Sequence, residues 1–273
     1  MRMTATGRST EGVTSADVTP PVVYRHVDKV FGAGVHAVSD VSLEVMPGEF
    51  VVFVGPSGCG KTTLMRMTAG LAYPTRGEVL LEGRPVTKVS SEIGFVTQDN
   101  KLYPWMTMLD NVAFPLKARG VKRGERQERA MDLLTLMGLA EAAQRYPAQV
   151  SGGMQRRGAI ARTLIYNPAV LLMDEPFASL DALTKRLLQQ ELKRICDERN
   201  CTVIFVTHDL YEAITLGDRV VVFSKRPARI KKIVSVPTGL TQHEDGDERS
   251  SVAVEQLQRE LWALLRSEIS ETS

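Results

Sequence analysis

Residues 50–63 read FVVFVGPSGCGKTT, an apolar run that passes into a glycine-rich segment. Its first five residues are all apolar, with no polar alternation, which is the pattern of a strand buried on both faces of a parallel sheet. The following segment matches G-x-x-x-x-G-K-[ST], with Gly55, Gly60, Lys61 and Thr62 in the fixed places. A helix-forming segment continues over residues 61–71. Glycines let the backbone curl so that successive N–H groups point inward at phosphate oxygens. A helix starting at Lys61 turns its positive dipole end to the same anion. The Lys61 ammonium neutralises the β- and γ-phosphates of a nucleotide, and the Thr62 hydroxyl is placed to ligate magnesium. Pro56, Ser57, Gly58, Cys59 and Thr63 complete the phosphate-binding segment. Cys59 reads as filler whose thiol exposes the site to alkylation.

Outward from this loop, the apolar run of residues 170–173 ends in Asp174 and Glu175. A strand ending in Asp174 presents a carboxylate at the C-terminal edge of the sheet, beside the phosphate loop, where it can hold Mg²⁺ or its water. Glu175 is the candidate general base that polarises an attacking water. Alternating stretches at 22–30 and 38–45 predict strands of a small antiparallel sheet. Further strands are expected at 78–81, 93–96, 202–206 and 219–224, and helical stretches between the later ones argue for a mostly parallel, helix-covered sheet. Residues 103–146 carry few strand signals, and 125–137 have helical spacing, so a helical subdomain at about 103–165 is expected to be inserted in the α/β core. The charge run at 122–129 reads as a solvated helix face.

Bulk properties set the boundaries. The chain has 273 residues, a hydrophobic fraction of 43% and a net charge of +2, which does not point to a nucleic-acid binder held by bulk electrostatics. Cys59, Cys196 and Cys201 show no metal-ligand spacing and fit a reduced, cytosolic setting. No apolar run approaches the roughly 20 residues needed to span a bilayer. Residues 1–21 are rich in Thr, Ser and Gly and are expected to be a disordered tail. Residues 22–236 are expected to be the ordered domain. A polar linker and a C-terminal amphipathic helix, with Leu257, Leu261, Leu264 and Leu265 on one face, fill 237–273.

A further stretch, VSGGMQRR at 150–157, lies shortly before the carboxylate strand. Together with the phosphate loop it makes the sequence resemble the ABC ATPase family, through a motif usually written LSGGQ. The resemblance covers about residues 22–236 and implies an α/β P-loop NTPase fold of the ABC ATPase type. That fold has a mostly parallel core sheet, an N-terminal antiparallel β subdomain and the inserted helical subdomain. It assigns Phe31 to adenine stacking, with Tyr24 as the lesser rival. Gln98 becomes a Mg²⁺ contact that also senses a membrane partner, and Ser179, Leu180 and Asp181 become a dimer-facing turn. His208 becomes a switch histidine on the γ-phosphate. Ser151, Gly152, Gly153 and Met154 form a second phosphate-binding helix start, which the resemblance gives to the ATP of a second copy. Two ATP molecules would then be held head-to-tail in a homodimer, with Glu175, His208 and Lys61 as the catalytic set.

Val150 and Met154 depart from the usual Leu and Gln, yet leave the phosphate donors intact. The SGGM version resembles the importer branch for nitrate, sulfonates and taurine, as do KLYPWMTMLDNV (101–112), PFASLDALT (176–184) and RPARI (226–230). The branch implies transmembrane permease subunits, an indirect solute-binding protein, and a peripheral place on the cytoplasmic face of the inner membrane. Two other readings compete. A soluble ABC ATPase acting on DNA or ribosomes normally carries paired ATPase units or coiled-coil insertions, which are absent. A P-loop kinase has no use for Ser151–Gly153.

Overall fold

The computed structural model describes residues 19–98, 102–178, 180–237 and 248–269. The alternating N-terminal residues form β1 (Val22–Phe31) and β2 (Val35–Val45), which pair antiparallel. The apolar run becomes β3 (Phe50–Val54), with every residue buried. After α1 (Lys61–Thr68), β4 (Arg76–Leu81) and the short β5 (Arg84–Pro85) join the first sheet, in the order β2-β1-β4-β5. The strand expected at 78–81 thus joins the antiparallel sheet. Its burial rises along the strand, from exposed Arg76 and Gly77 to buried Val79, Leu80 and Leu81.

The second sheet gathers β6 (Ile93–Val96), β7 (Val170–Asp174), β8 (Thr202–Val206), β9 (Arg219–Phe223) and β10 (Ile230–Ser235) around β3, in the order β10-β9-β3-β8-β7-β6. All neighbours are parallel except the edge pair β9 and β10. β3, β7 and β8 are buried along their whole length, because helices cover one face and the antiparallel sheet with α1 covers the other.

Between β6 and β7 lie α2 (Met108–Ala118), α3 (Arg123–Leu136) and α4 (Gly152–Leu164), which pack on one another through Val112, Leu116, Leu134 and Ile160. Thr107 caps α2 by accepting from the Asp110 N–H, as a helix start requires. The charged run ahead of Ala130 is largely exposed, with Arg129 paired to Glu125 one turn away at 2.6 Å. α5 (Ala182–Glu198) and α6 (Leu210–Leu216) flank β8. α7 (Glu248–Ile269) buries Leu261 and Leu265 and half-buries Leu257 and Leu264 against the core. Most of the expected N-terminal tail, residues 1–18, and most of the expected linker lie outside the described residues.

α1 stops at Thr68, short of the expected 71. Gly70 adopts φ 73°, and a Cβ there would come within 2.3 Å of the Lys88 carbonyl oxygen, so the chain turns away instead of continuing the helix.

Candidate functional site

The parallel strands deliver their C-terminal ends to one edge, where open α/β sheets bind ligands. β3 runs into the 55–60 loop, β6 into Thr97 and Gln98, β7 into Asp174 and Glu175, and β8 into Thr207 and His208. The loop is folded to leave an open cradle. Gly58 has φ 72° with nothing within 4 Å of an added Cβ, and Ser57 is exposed beside it. Gly60 is more tightly constrained. At φ 131° its missing Cβ would sit 2.5 Å from the Ala37 carbonyl oxygen, so no other residue fits between the loop and β2.

Lys61 Nζ lies inside the loop and donates to the carbonyls of Gly55 (2.8 Å) and Pro56 (2.9 Å). Cys59 Sγ is 3.6 Å from the same nitrogen, and the Cys59 residue is only 1% exposed. The expected ease of thiol alkylation therefore meets a thiol walled in by the loop it belongs to. Thr62 is exposed, and its hydroxyl donates to Asp174 Oδ2 at 2.8 Å, which joins the phosphate loop to the end of β7. Thr63 lies partly buried in the first turn of α1.

Asp174 is 6% exposed. Burial pushes its carboxyl above the usual range, and Glu175 pushes the same way. The Thr62 hydroxyl, Lys61 and Arg156 pull against them. A desolvated carboxylate bonded to a hydroxyl is a hard oxygen pair, the chemistry that Mg²⁺ takes when substrate phosphates fill its remaining positions. Among the described residues there is no cluster of three or more His, Cys, Asp or Glu that could hold a metal ion.

Glu175 has φ 47°, a left-handed conformation that is unusual for a residue with a long side chain. Its N–H donates to the Val206 carbonyl at 3.0 Å, and its Oε1 lies 3.5 Å from His208 Nδ1. The His208 ring is largely exposed at the mouth of the site. Phe31, at the end of β1, is 46% exposed with Lys29 Nζ 5.0 Å from its ring centre. Tyr24 is fully buried with its hydroxyl on Thr68, and burial drives its ionisation far upward, so it offers no platform to a ligand.

Ser151 caps α4, accepting from the Met154 N–H at 3.3 Å. Ser151 and Gly152 are exposed, and an added Cβ at Gly152 meets nothing within 4 Å. Gly153 packs beside Leu180. This helix start faces outward on the inserted helices and is a separate place from the phosphate loop. Asp181 caps α5 through the Thr184 N–H at 3.0 Å, and those hydrogen bonds hold its carboxyl below the usual range. Ser179 lies outside the described residues.

Two features escaped the sequence reading. Arg156, 8% exposed on α4, reaches under both the Gln98 segment and the Glu175 turn. Behind His208, Lys185 of α5 pairs with Asp209 and Glu212 at 2.7 Å each, while Gln189 and Thr207 also bond to Glu212. A charged residue at helical spacing reads as solvent-facing, so neither group carried a visible signal.

Comparisons with known proteins bear on the family of the chain. The ABC transporter family profile matches residues 38–178. The taurine import ATP-binding protein TauB of Rhizobium johnstonii is 44% identical over 240 residues, covering 87% of this chain and 92% of that protein. An uncharacterised ABC transporter ATP-binding protein of Methanocaldococcus jannaschii is 44% identical over 247 residues, covering 89% and 91%. Among solved structures, the dimeric ATP-binding cassette MJ0796 in a post-hydrolysis state bound to ADP and Pi superposes with a TM-score of 0.73. It is 33% identical, with 79% of this chain and 99% of that one covered. The chain therefore belongs to the ABC transporter family, as an ATPase built on the P-loop fold.

Proposed function

We propose that this chain is the ATP-hydrolysing subunit of an ABC importer, working as a homodimer beneath separate transmembrane permease subunits. The observation that carries this reading is the Thr62–Asp174 hydrogen bond, which joins a phosphate loop to a buried carboxylate 112 residues away. In this reading Phe31 stacks on adenine, and the loop of Gly55, Pro56, Ser57, Gly58, Cys59, Gly60 and Thr63 wraps the phosphates in backbone N–H groups. Lys61 gives up its carbonyl partners to meet the β/γ-phosphates. Thr62, Asp174 and Gln98 would hold Mg²⁺, which supplies charge neutralisation to the phosphates when bound. Glu175 orients the attacking water and takes its proton, and His208, 3.5 Å from Glu175, donates to the γ-phosphate.

The outward-facing Ser151, Gly152, Gly153 and Met154 cover the ATP of the partner copy, with the turn of Ser179, Leu180 and Asp181 between the two sites. Closure on two ATP molecules moves the inserted helices, and the permease docks near Gln98 and those helices. The MJ0796 cassette supports the pairing, since its structure is dimeric and contains hydrolysis products. No described helix is long and apolar enough to cross a membrane. In this reading the membrane path belongs to the permease subunits, and this chain is peripheral at the cytoplasmic face.

Resemblance to TauB, and to a nitrate import ATP-binding protein of Synechococcus elongatus at 45% identity over 77% of this chain, favours the nitrate, sulfonate or taurine class of solute. A solute-binding protein would deliver it to the permease. The test is uptake of labelled taurine, an alkanesulfonate, nitrate and a thiamine-precursor pyrimidine in cells carrying wild-type chain or Glu175→Gln. Loss of one solute alone supports import and names the cargo. Normal entry of all four overturns the assignment to this branch.

A further inference from the structure

Arg156 lies in the second turn of α4, the helix whose first residues are capped by Ser151. Its guanidinium is buried between the Gln98 segment and the Glu175 turn. Nε donates to the Pro176 carbonyl at 2.7 Å. One terminal nitrogen donates to the carbonyl of Gln98 and, at 3.4 Å, to that of Thr97. The other donates to the carbonyl of Glu175 and, at 3.3 Å, to that of Asp174. The planar fork of arginine can reach two chain segments at once in fixed directions, which a lysine ammonium cannot do.

The two carbonyls on the second nitrogen flank Glu175 on either side. They therefore fix the orientation of both peptide planes around the residue with φ 47°. A left-handed glutamate persists only where its surroundings over-determine it, and Arg156 is the side chain that supplies this constraint from within the core. The same group ties down the carbonyl of Gln98. Helix α4 is thereby linked, through one side chain, to the segment that presents Gln98 and to the turn that aims Glu175.

We infer that Arg156 is a positioning residue for hydrolysis. It holds Glu175 and the Gln98 segment in their working geometry and transmits movement of the Ser151 helix start to both. The second half of this inference rests on the dimer reading above, because Ser151 then moves when the partner's ATP binds. The structure thus gives each chain a mechanical path by which the state of one ATP site sets the aim of the general base at the other.

The test compares Arg156→Lys and Arg156→Met with wild type in steady-state hydrolysis of Mg-ATP, alongside thermal unfolding. Lysine keeps the charge in the core and guards against simple misfolding of the methionine variant. We expect kcat to fall at least about tenfold in both variants, with half-saturating ATP changed by less than about threefold. The Hill coefficient should fall from near 2 toward 1, since coupling between two sites is what it reads. Lysine is expected to recover the melting temperature and not kcat. Wild-type kcat in Arg156→Lys would overturn the inference. So would a loss of kcat matched by an equal loss of ATP affinity, which marks a general structural role. ATP-driven dimerisation of Glu175→Gln, measured in parallel, reports separately on the dimer reading. A monomeric Glu175→Gln chain refutes that reading, while the hold of Arg156 on Glu175 is still decided by kcat.

Discussion

Replacing Glu175 by glycine and by alanine separates catalysis from backbone strain at one position. Both variants remove the carboxylate and its approach to His208, so both should lose hydrolysis. They differ only in the Cβ, which at φ 47° presses on its own peptide. The left-handed conformation costs a residue with a Cβ about 1–2 kcal/mol. Glycine escapes this but brings extra freedom to the unfolded chain, worth about 0.4–1 kcal/mol in the opposite direction. The difference leaves glycine ahead of alanine by roughly 1 kcal/mol, or about 2–4 °C in melting temperature for a chain of this size. In an ordinary helix or strand interior the order is reversed, so the sign alone is diagnostic. Differential scanning calorimetry on nucleotide-free protein reads it directly. An alanine variant as stable as the glycine variant, or more so, would show that the turn at Glu175 is not strained.

Further tests follow from the same geometry. Asp174→Asn should stabilise the nucleotide-free protein at neutral pH. Burial raises the Asp174 pKa, so the folded chain binds this proton more tightly than the unfolded chain, and the stability it lends is lost as pH rises through the elevated pKa. Urea titrations of the two proteins should converge in acid, and an asparagine variant that unfolds earlier at neutral pH would refute the point. Lys185→Met should destabilise the chain by about 2 kcal/mol, because it strands the buried Glu212 without its cation. Burial pushes Asp209 upward, but its bonds to Lys185 and to backbone N–H groups outweigh this and hold it low. Its stabilisation is present above the unfolded carboxylate range and fades as pH falls through the depressed value, so wild type and Lys185→Met should draw together in acid. A maleimide should label Cys59 in the native protein more slowly than in urea, followed by mass spectrometry, and equal rates would contradict the closed loop. Lys61→Ala should weaken ATP binding about tenfold or more by equilibrium dialysis, and unchanged affinity would refute its phosphate role.

Much of this architecture was legible where one physical signal dominated. Phe50–Val54, Ile93–Val96 and Thr202–Val206 match their sequence-predicted bounds because short, mainly apolar runs suit the strands of a helix-covered sheet. The phosphate loop was legible because its glycines have no substitute at Gly60. The sheet that Arg76–Leu81 joins was not legible, since pairing partners are set by tertiary contacts that β propensity does not encode. Arg156 was invisible for a related reason. Its role depends on carbonyls brought from residues 97–98 and 174–176, and no local pattern announces that a charged side chain on a helix turns inward. The outward Ser151–Gly153 start was read only through resemblance, because one chain alone shows no ligand that it serves.

In the proposed cycle, two copies of this chain close on ATP before hydrolysis reopens them. The most direct measurement is the solution mass of Glu175→Gln by sedimentation velocity, with and without saturating Mg-ATP. We expect a monomer without nucleotide and a stable species of twice the mass with ATP, reversed by adding Ser151→Arg at the shared face. A Glu175→Gln chain that binds ATP normally and remains monomeric at high concentration would contradict it.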